Sequence, residues 1–320
     1  MPPSGPEPAA LGARLRARDL TAAPAALNLL ENRAPAQREA IATLLAEVAP
    51  ARLGGEAPGH VIGVTGPPGA GKSTLLSVLA RTWRTRGRTV AVLAVDPSSK
   101  RTGGALLGDR ARIDADPADR GLFIRSTAAR DRIGGLAPST RAAAHALAAA
   151  FDVVVVETVG VGQSETEVAE TADSVAVVVQ PGAGDVLQFL KAGIMEVPDV
   201  LVVSKADLGR TAARAVRDLR LALRALGDGA PVLAVCSIHP VTGVEELADA
   251  LDAHRAGLDL AAVRTRARRL GALADFIAEH GDRGLRALGG RRAAERLLAE
   301  QDPGLDAAEL LRALENLQGV

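Results

Sequence analysis

The stretch GPPGAGKS, residues Gly66 to Ser73, limits the possible folds more than any other part of the sequence. It matches the pattern G-x-x-x-x-G-K-[ST] and stands between a strand-like apolar run, VIGVT, and a helix-like segment. Its glycines would let backbone N–H groups surround phosphates, Lys72 would reach the β- and γ-phosphates, and Ser73 would ligate Mg²⁺. The residues predicted to bind a nucleotide there are Gly66, Pro68, Gly69, Ala70, Gly71, Lys72, Ser73 and Thr74.

Apolar runs of strand length alternate with helix-length segments from residue 60 onwards. Most runs are apolar throughout, which is typical of parallel strands covered by helices on both faces. We predict an α/β fold with a doubly wound, mostly parallel sheet: a P-loop domain over 59–257, a helical extension over 1–58 and a helical arm over 258–320. Within the arm, DAAE (306–309) predicts a helix start with a capping box. The predicted strands are 61–65, 89–96, 121–126, 151–157, 174–180, 199–204 and 231–236.

The segment DPSSKRTGGALLGDRARI follows the second predicted strand. Asp96 ends that strand, so a doubly wound sheet would place it near the phosphates. The Gly-rich residues after it are too irregular for a helix until Leu107. They predict a mobile loop that carries Asp109, Arg110 and Arg112 towards the nucleotide.

The stretch VVVVETVGVGQSETE delivers a carboxylate at the end of a buried strand. Glu157 stands where Walker-B-type carboxylates hold a magnesium-bound water, and Gly160 could donate its N–H to a γ-phosphate. Many GTP-hydrolysing switches carry glutamine directly after this glycine, but here the residue is Val161. Since valine can neither orient nor deprotonate a water, we expect slow intrinsic hydrolysis.

The motif SKAD, residues 204 to 207, ends another predicted strand and predicts the base. The Asp207 carboxylate can accept hydrogen bonds from N1–H and the exocyclic amino group of guanine, whereas adenine offers neither, so GTP is favoured over ATP. Lys205 would lie over the base. Ser204 replaces the asparagine found in many GTP-binding proteins. After the next strand, Ser237 and Ile238 are expected to supply a backbone N–H for the guanine O6.

Composition excludes several other classes. Lys+Arg and Asp+Glu are both 38, so no global basic field attracts nucleic acid or an anionic membrane. Cys236 is the single cysteine, which excludes intrachain disulfides and multi-cysteine zinc sites, and with His239 it offers two ligands, too few for a metal site. The Arg-rich stretch RTRARRL (264–270) is interpreted as a solvated helix face. No secretory signal or membrane span is predicted, so we expect a cytoplasmic protein.

Together these motifs resemble the MeaB/ArgK family, which includes the methylmalonic aciduria type A protein. The resemblance covers residues 60 to about 257. It depends on GPPGAGKST, AVLAVDPSSKRTGGALLGDRARI, VVVETVGVGQSE, QPGAGDVLQFLKAGIMEV (180–197) and SKAD. The sequence departs from the family at Ser204, where asparagine is usual, and at Arg110, where lysine is common.

The resemblance implies a GTPase of the branch that includes metallochaperone and signal-recognition GTPases. It would bind GTP, GDP and Mg²⁺, form a homodimer through residues 258–320, and act as a chaperone that protects, gates or reactivates a cobalamin-dependent acyl-CoA mutase such as methylmalonyl-CoA mutase. Asp96 and Glu157 would then serve the metal, Asp109 would position or activate the attacking water, and residues 180–193 would sense the mutase. The implied switch and partner-sensing residues are Arg110, Arg112, Gln163, Asp185, Gln188 and Lys191.

Three other functions stay open at this point. A nickel-insertion GTPase also uses Glu in E-x-x-G, although such proteins usually carry additional His/Cys tracts. A P-loop kinase would transfer phosphate to an acceptor rather than to water. A binding module without turnover would use GTP only to hold a dimer together.

Overall fold

The computed structural model describes residues 7–32, 34–96, 113–128, 136–158, 164–182, 198–227 and 229–318. Its strands are β1 (His60–Thr65), β2 (Val90–Asp96), β3 (Leu122–Ala128), β4 (Val153–Thr158), β5 (Ser174–Val179), β6 (Val200–Val203) and β7 (Val232–Ala234). They form one sheet in the order β3-β2-β4-β1-β5-β6-β7, and all neighbours pair in parallel. Each strand overlaps one of the predicted runs, which confirms the predicted fold class.

Along the sequence, the described helices precede the strands, alternate with them or follow them. They are α1 (Pro8–Arg16), α2 (Ala23–Leu30), α3 (Arg38–Ala46), α4 (Pro50–Leu53), α5 (Lys72–Thr85), α6 (Pro138–Ala148), α7 (Ser164–Ala169), α8 (Arg210–Leu226), α9 (Val244–Ala256), α10 (Leu260–Ala287), α11 (Arg291–Ala299) and α12 (Ala307–Gln318). Within the described part of the chain, no helix combines the length and apolar character needed to cross a membrane.

Helices cover both faces of the sheet, as the continuous apolar strands predict. On one face, Ile62 of β1 belongs to the same buried cluster as Trp83 of α5 and Leu251 of α9. On the other face Gly63 packs against α7. A Cβ added at Gly63 would lie 2.4 Å from the Val168 Cγ1 atom. Since alternate residues of β1 are buried against different helices, the central residues 61–64 are all apolar or glycine.

A partly buried polar network joins the amino ends of β1 and β5 to α9. The Ser174 hydroxyl lies 2.8 Å from His60 Nε2 and 2.8 Å from His254 Nδ1, and His254 Nε2 lies 3.1 Å from Asp199 Oδ1. Burial lowers the pKa of His60, which favours its neutral form. The network holds the strands at the end opposite to the phosphate-binding loop, which follows the carboxyl end of β1.

Contacts group the chain into two compact units. One comprises 60–137 and 152–258 and contains the sheet; the other comprises 1–59, 138–151 and 259–320 and includes α6. The second unit has its own apolar core, in which Phe276 of α10 clusters with Leu298 of α11 and Leu314 of α12. The domain ranges 1–58, 59–257 and 258–320 stay a prediction.

The interpretation of residues 264–270 as a solvated helix face is wrong for two of its arginines. Arg264 is 6% exposed and donates to the carbonyl oxygens of Ala57 and Gly59, both at 2.6 Å. Arg268 is 7% exposed and forms a bidentate pair with Glu56, at 2.9 and 2.8 Å. These side chains join α10 to residues 56–59, because each guanidinium donates to carbonyl or carboxylate oxygens there.

Candidate nucleotide-binding site

The loop between β1 and α5 has the backbone geometry of a phosphate cradle. Three glycines of the loop have positive φ values: 142° at Gly66, 77° at Gly69 and 89° at Gly71. Residues with a Cβ rarely adopt these angles. At Gly66 a Cβ would also lie 2.0 Å from the Val178 carbonyl oxygen. Position 66 therefore requires glycine for both conformation and space, and positions 69 and 71 require it for conformation. Such a glycine-rich turn allows backbone N–H groups to face an anion.

Lys72 begins α5 and folds back over this loop. Its Nζ donates to the carbonyl oxygens of Gly66 at 2.7 Å and Pro67 at 3.1 Å, and the residue is only 7% exposed. The ammonium group is thus held against the loop. The Lys72 ammonium group would therefore need little rearrangement to stabilise the negative charge of a bound phosphate chain.

The strand register brings the end of β4 beside the phosphate loop. Glu157 pairs with Val64 of β1 on one side and with Ala94 of β2 on the other, two residues before the end of β2 at Asp96. The Ser73 hydroxyl donates to Glu157 Oε1 at 3.1 Å. Sequence reasoning predicted both residues for the metal, and the structure brings these two together.

The donor set at this position fits Mg²⁺. A hydroxyl and a buried carboxylate 3.1 Å apart are hard oxygen ligands, which Mg²⁺ prefers directly or through water. Asp96 ends the neighbouring strand β2, and the structure describes its backbone only. Ser73 and Glu157 would therefore hold the ion together with nucleotide oxygens.

The SKAD turn lies after β6 and reaches back to the phosphate loop. Lys205 has a left-handed backbone, with φ of 54° and ψ of 45°. Its Nζ donates to the Gly69 carbonyl oxygen at 3.2 Å and to Gln180 Oε1 at 2.7 Å. The lysine stem thus spans from the predicted base side to the phosphate side, and Gln180 is a partner that sequence reasoning missed.

Ser204 uses its side chain inside the protein. Its Oγ donates to the Val179 carbonyl oxygen at 3.1 Å, and its backbone N–H donates to the same oxygen at 2.9 Å. The residue is 4% exposed. Ser204 therefore connects the turn to the end of β5 by two hydrogen bonds. The sequence had predicted a nucleotide contact for this residue.

Asp207 lies in a 3₁₀ turn, Ala206–Leu208, and its side chain is exposed. The turn is joined to the residues after β7, because the Ala206 N–H donates to the Val235 carbonyl oxygen at 3.1 Å. Ile238 is 56% exposed and Ser237 is half-buried. The structure thus brings the two predicted base-contacting segments to one edge of the sheet.

Eight predicted site residues lie outside the described residues. They are Asp109, Arg110, Arg112, Gly160, Gln163, Asp185, Gln188 and Lys191.

A second cluster of possible metal ligands occurs among the described residues of the second unit, which comprises 1–59, 138–151 and 259–320. Glu279, His280 and Glu315 have ligand atoms within 4.8 Å of one another. Arg38 pairs with Glu279 and lies 3.8 Å from Glu315 Oε1, while His280 Nε2 lies 3.2 Å from that same oxygen. The guanidinium already supplies positive charge to both carboxylates, so we interpret the cluster as an ion-pair network.

Comparisons with known proteins agree with the geometry. The family model described as methylmalonyl-CoA mutase-associated GTPase MeaB matches residues 23–280. The GTPase ArgK of Escherichia coli is 37% identical over 241 residues, 73% of this chain and 72% of that protein. The mitochondrial methylmalonic aciduria type A homolog of Mus musculus is 40% identical over 147 residues, 46% of this chain and 35% of that protein. A crystal structure described as LAO/AO transport system kinase is 28% identical, covers 98% of both chains and superposes with a TM-score of 0.66.

Proposed function

The chain belongs to the family of methylmalonyl-CoA mutase-associated GTPases, and from that premise we propose that it is a GTP-hydrolysing chaperone of a cobalamin-dependent acyl-CoA mutase. In this proposal GTP and GDP bind with Mg²⁺, and hydrolysis is slow until the mutase stimulates it. The chaperone protects, gates or reactivates the mutase, acts in the cytoplasm and works as a homodimer.

The contact between Lys205 Nζ and the Gly69 carbonyl oxygen carries the nucleotide assignment. It joins the turn that contains Asp207 to the loop that contains Lys72. A loop that only bound phosphate would not need this connection to a turn with a carboxylate suited to guanine. The arrangement therefore supports a site that reads base and phosphates together.

The residues of the site divide the work of phosphoryl transfer. The N–H groups of the glycine loop and the Lys72 ammonium stabilise negative charge on the phosphates, and they require little reorganisation because the loop already holds them. Mg²⁺ when bound supplies further neutralisation of the phosphate oxygens. Ser73 and Glu157 orient this part of the site, and Asp109 is proposed to position the attacking water.

The slow rate of the isolated protein follows from Val161. Its side chain has no group that can hold a water beside the γ-phosphate, so the switch segments must be completed by a partner. We propose that residues 180–193 receive that signal and that Gln188 and Lys191, three positions apart in the sequence, take part in it.

The test is single-turnover phosphate release with and without purified methylmalonyl-CoA mutase. We expect the mutase to raise the rate at least tenfold, which corresponds to about 1.4 kcal/mol of barrier. Lys191→Glu should reduce the stimulation and leave the basal rate nearly unchanged. The control is Arg224→Glu, the same charge reversal at an exposed position of α8.

Two results would contradict the proposal. A fast basal rate that no cobalamin-dependent acyl-CoA mutase alters would remove the partner-gated chaperone. Transfer of the γ-phosphate to an acceptor other than water would instead favour a kinase, the activity for which the LAO/AO transport system kinase is named.

A further inference from the structure

The turn that carries Asp207 is in contact with the segment after β7 at two points. The first is the backbone bond from Ala206 N–H to the Val235 carbonyl oxygen, at 3.1 Å. The second is a side-chain contact, in which the Cys236 Sγ lies 3.6 Å from Asp207 Oδ1. Both contacts join residues that are about 30 positions apart in the sequence, so the fold alone creates them.

Cys236 occupies a rigid position. It is 3% exposed, its N–H donates to the Thr242 carbonyl oxygen at 2.9 Å, and its carbonyl oxygen accepts from the Thr242 N–H at 3.1 Å. The Asp207 side chain, in contrast, is exposed on a short turn. A fixed thiol thus contacts a carboxylate that could otherwise rotate.

The chemistry of the thiol allows it to orient the carboxylate. Its single proton can be donated to Asp207 Oδ1 or to the Ile238 carbonyl oxygen, which lies 3.3 Å from the sulfur. A carboxylate oxygen has two lone-pair directions, so Oδ1 can accept from the thiol and still accept from a ligand. Guanine recognition needs both carboxylate oxygens in the plane of N1–H and the exocyclic amino group.

We propose that Cys236 is a positioning residue for base recognition, which orients the Asp207 carboxylate towards the guanine edge. The inference rests on the proposed function, since it assumes that Asp207 reads guanine. It adds a specificity-determining residue that does not itself contact the nucleotide.

The experiment compares the dissociation constants of GDP, IDP and ADP by calorimetry. IDP keeps N1–H and lacks the exocyclic amino group, so the ratio of IDP to GDP dissociation constants reports how well the carboxylate meets that group. We expect Cys236→Ala to lower this ratio by about threefold, in the range of one weak hydrogen bond. Cys236→Ser, which retains a donor, should keep the ratio closer to that of the wild-type protein.

Two controls separate positioning from a general structural effect. Val232→Ala creates a small cavity in the neighbouring strand β7 and should leave the ratio unchanged, even if it lowers the melting temperature. In an Asp207→Ala background, Cys236→Ala should no longer change the ratio, because the group that it orients is missing.

The outcomes distinguish this inference from the proposed function. A wild-type protein that binds ADP as tightly as GDP would overturn both. If the wild-type protein prefers GDP, the positioning role alone is overturned by either of two results. In the first, Cys236→Ala weakens GDP and IDP binding equally; in the second, it weakens neither. The same holds if Cys236→Ala still lowers the ratio in the Asp207→Ala background.

Discussion

Individual side chains at the site make hydrogen bonds that cannot be predicted from the residue type alone. Ser204 stands where asparagine is common, yet its hydroxyl and N–H both bind the Val179 carbonyl oxygen. Lys205 combines a left-handed backbone with a side chain that reaches Gly69. In the proposed function, Asp207 is the residue that recognises the base, and its side chain is exposed on this turn.

The first prediction concerns Asp207→Asn. We expect GTP binding to weaken by about 2–4 kcal/mol, because charge-assisted hydrogen bonds are lost and ligand donors are left poorly matched. Binding of xanthosine triphosphate should improve, since its C2 carbonyl can accept from the new amide. Calorimetry with both nucleotides checks this, with Asp218→Asn on the exposed face of α8 as the control. Equal wild-type affinity for ATP and GTP would contradict the assignment.

The second prediction concerns Glu157→Gln. The amide can still accept from Ser73, but it no longer carries the negative charge that favours Mg²⁺. Half-maximal hydrolysis should need at least about tenfold more Mg²⁺, the size of a lost charged interaction. GDP binding in the presence of EDTA should change little. Glu170→Gln, at an exposed position after α7, should leave the Mg²⁺ dependence as in the wild-type protein.

At the scale of elements, local signals and their tertiary surroundings combine. The predicted capping box at DAAE is confirmed: the Glu309 N–H donates to Asp306 Oδ1 at 2.8 Å, and the Asp306 N–H donates to Glu309 Oε2 at 2.9 Å. Asp306 is only 1% exposed. Burial therefore raises the pKa of Asp306 to about 6, and the nearby Glu309 adds to the effect, whereas the backbone N–H groups of Glu309 and Ala308 oppose it.

The third prediction follows from the pKa of Asp306. Since the folded protein binds this proton more tightly than the unfolded chain, the group stabilises the fold below pH 3.8. That contribution is lost as the pH rises and is gone above about pH 6. The change amounts to at most about 3 kcal/mol for a shift from 3.8 to about 6.

The measurement compares the wild-type protein with Asp306→Ser, which keeps a capping oxygen and removes the titrating group. The wild-type protein should lose stability relative to the variant between pH 4 and pH 7, as measured by urea unfolding. The stability of the wild-type protein must be compared with that of the variant, because His60 also contributes to the pH dependence. Its lowered pKa makes the folded protein more stable as the pH rises through this range. A difference that does not vary with pH would show that Asp306 does not titrate there.

At the scale of the whole molecule, ligand binding couples to stability. A nucleotide that binds only the folded protein adds about 2.7 kcal/mol at one hundred times its dissociation constant. We therefore predict that GDP raises the melting temperature and that ADP at the same concentration has little effect. Lys72→Ala should remove most of the GDP shift, whereas Arg224→Glu on α8 should retain it. Equal shifts with ADP and GDP would contradict base recognition.

The sequence by itself determined those features that are encoded by neighbouring residues. The glycine loop is contiguous, so its spacing predicts phosphate binding without knowledge of the fold. The strands follow from continuous apolar runs, because a parallel sheet buried on both faces needs them. The capping box follows from two residues three positions apart. All three kinds of signal are local, and the structure confirms the predicted strands and the capping box.

Only the tertiary structure decided which distant residues meet. Ser73 and Glu157 are 84 positions apart and are brought together by the register of β4 beside β1, and Lys205 reaches Gly69 across 136 positions. The contact of Cys236 with Asp207 depends on β7 lying beside β6. The burial of Arg264 was missed because a helical pattern rich in Arg and Ala does not show which face is covered. Local propensity decides the elements, but side-chain contacts and burial depend on the packing of the elements.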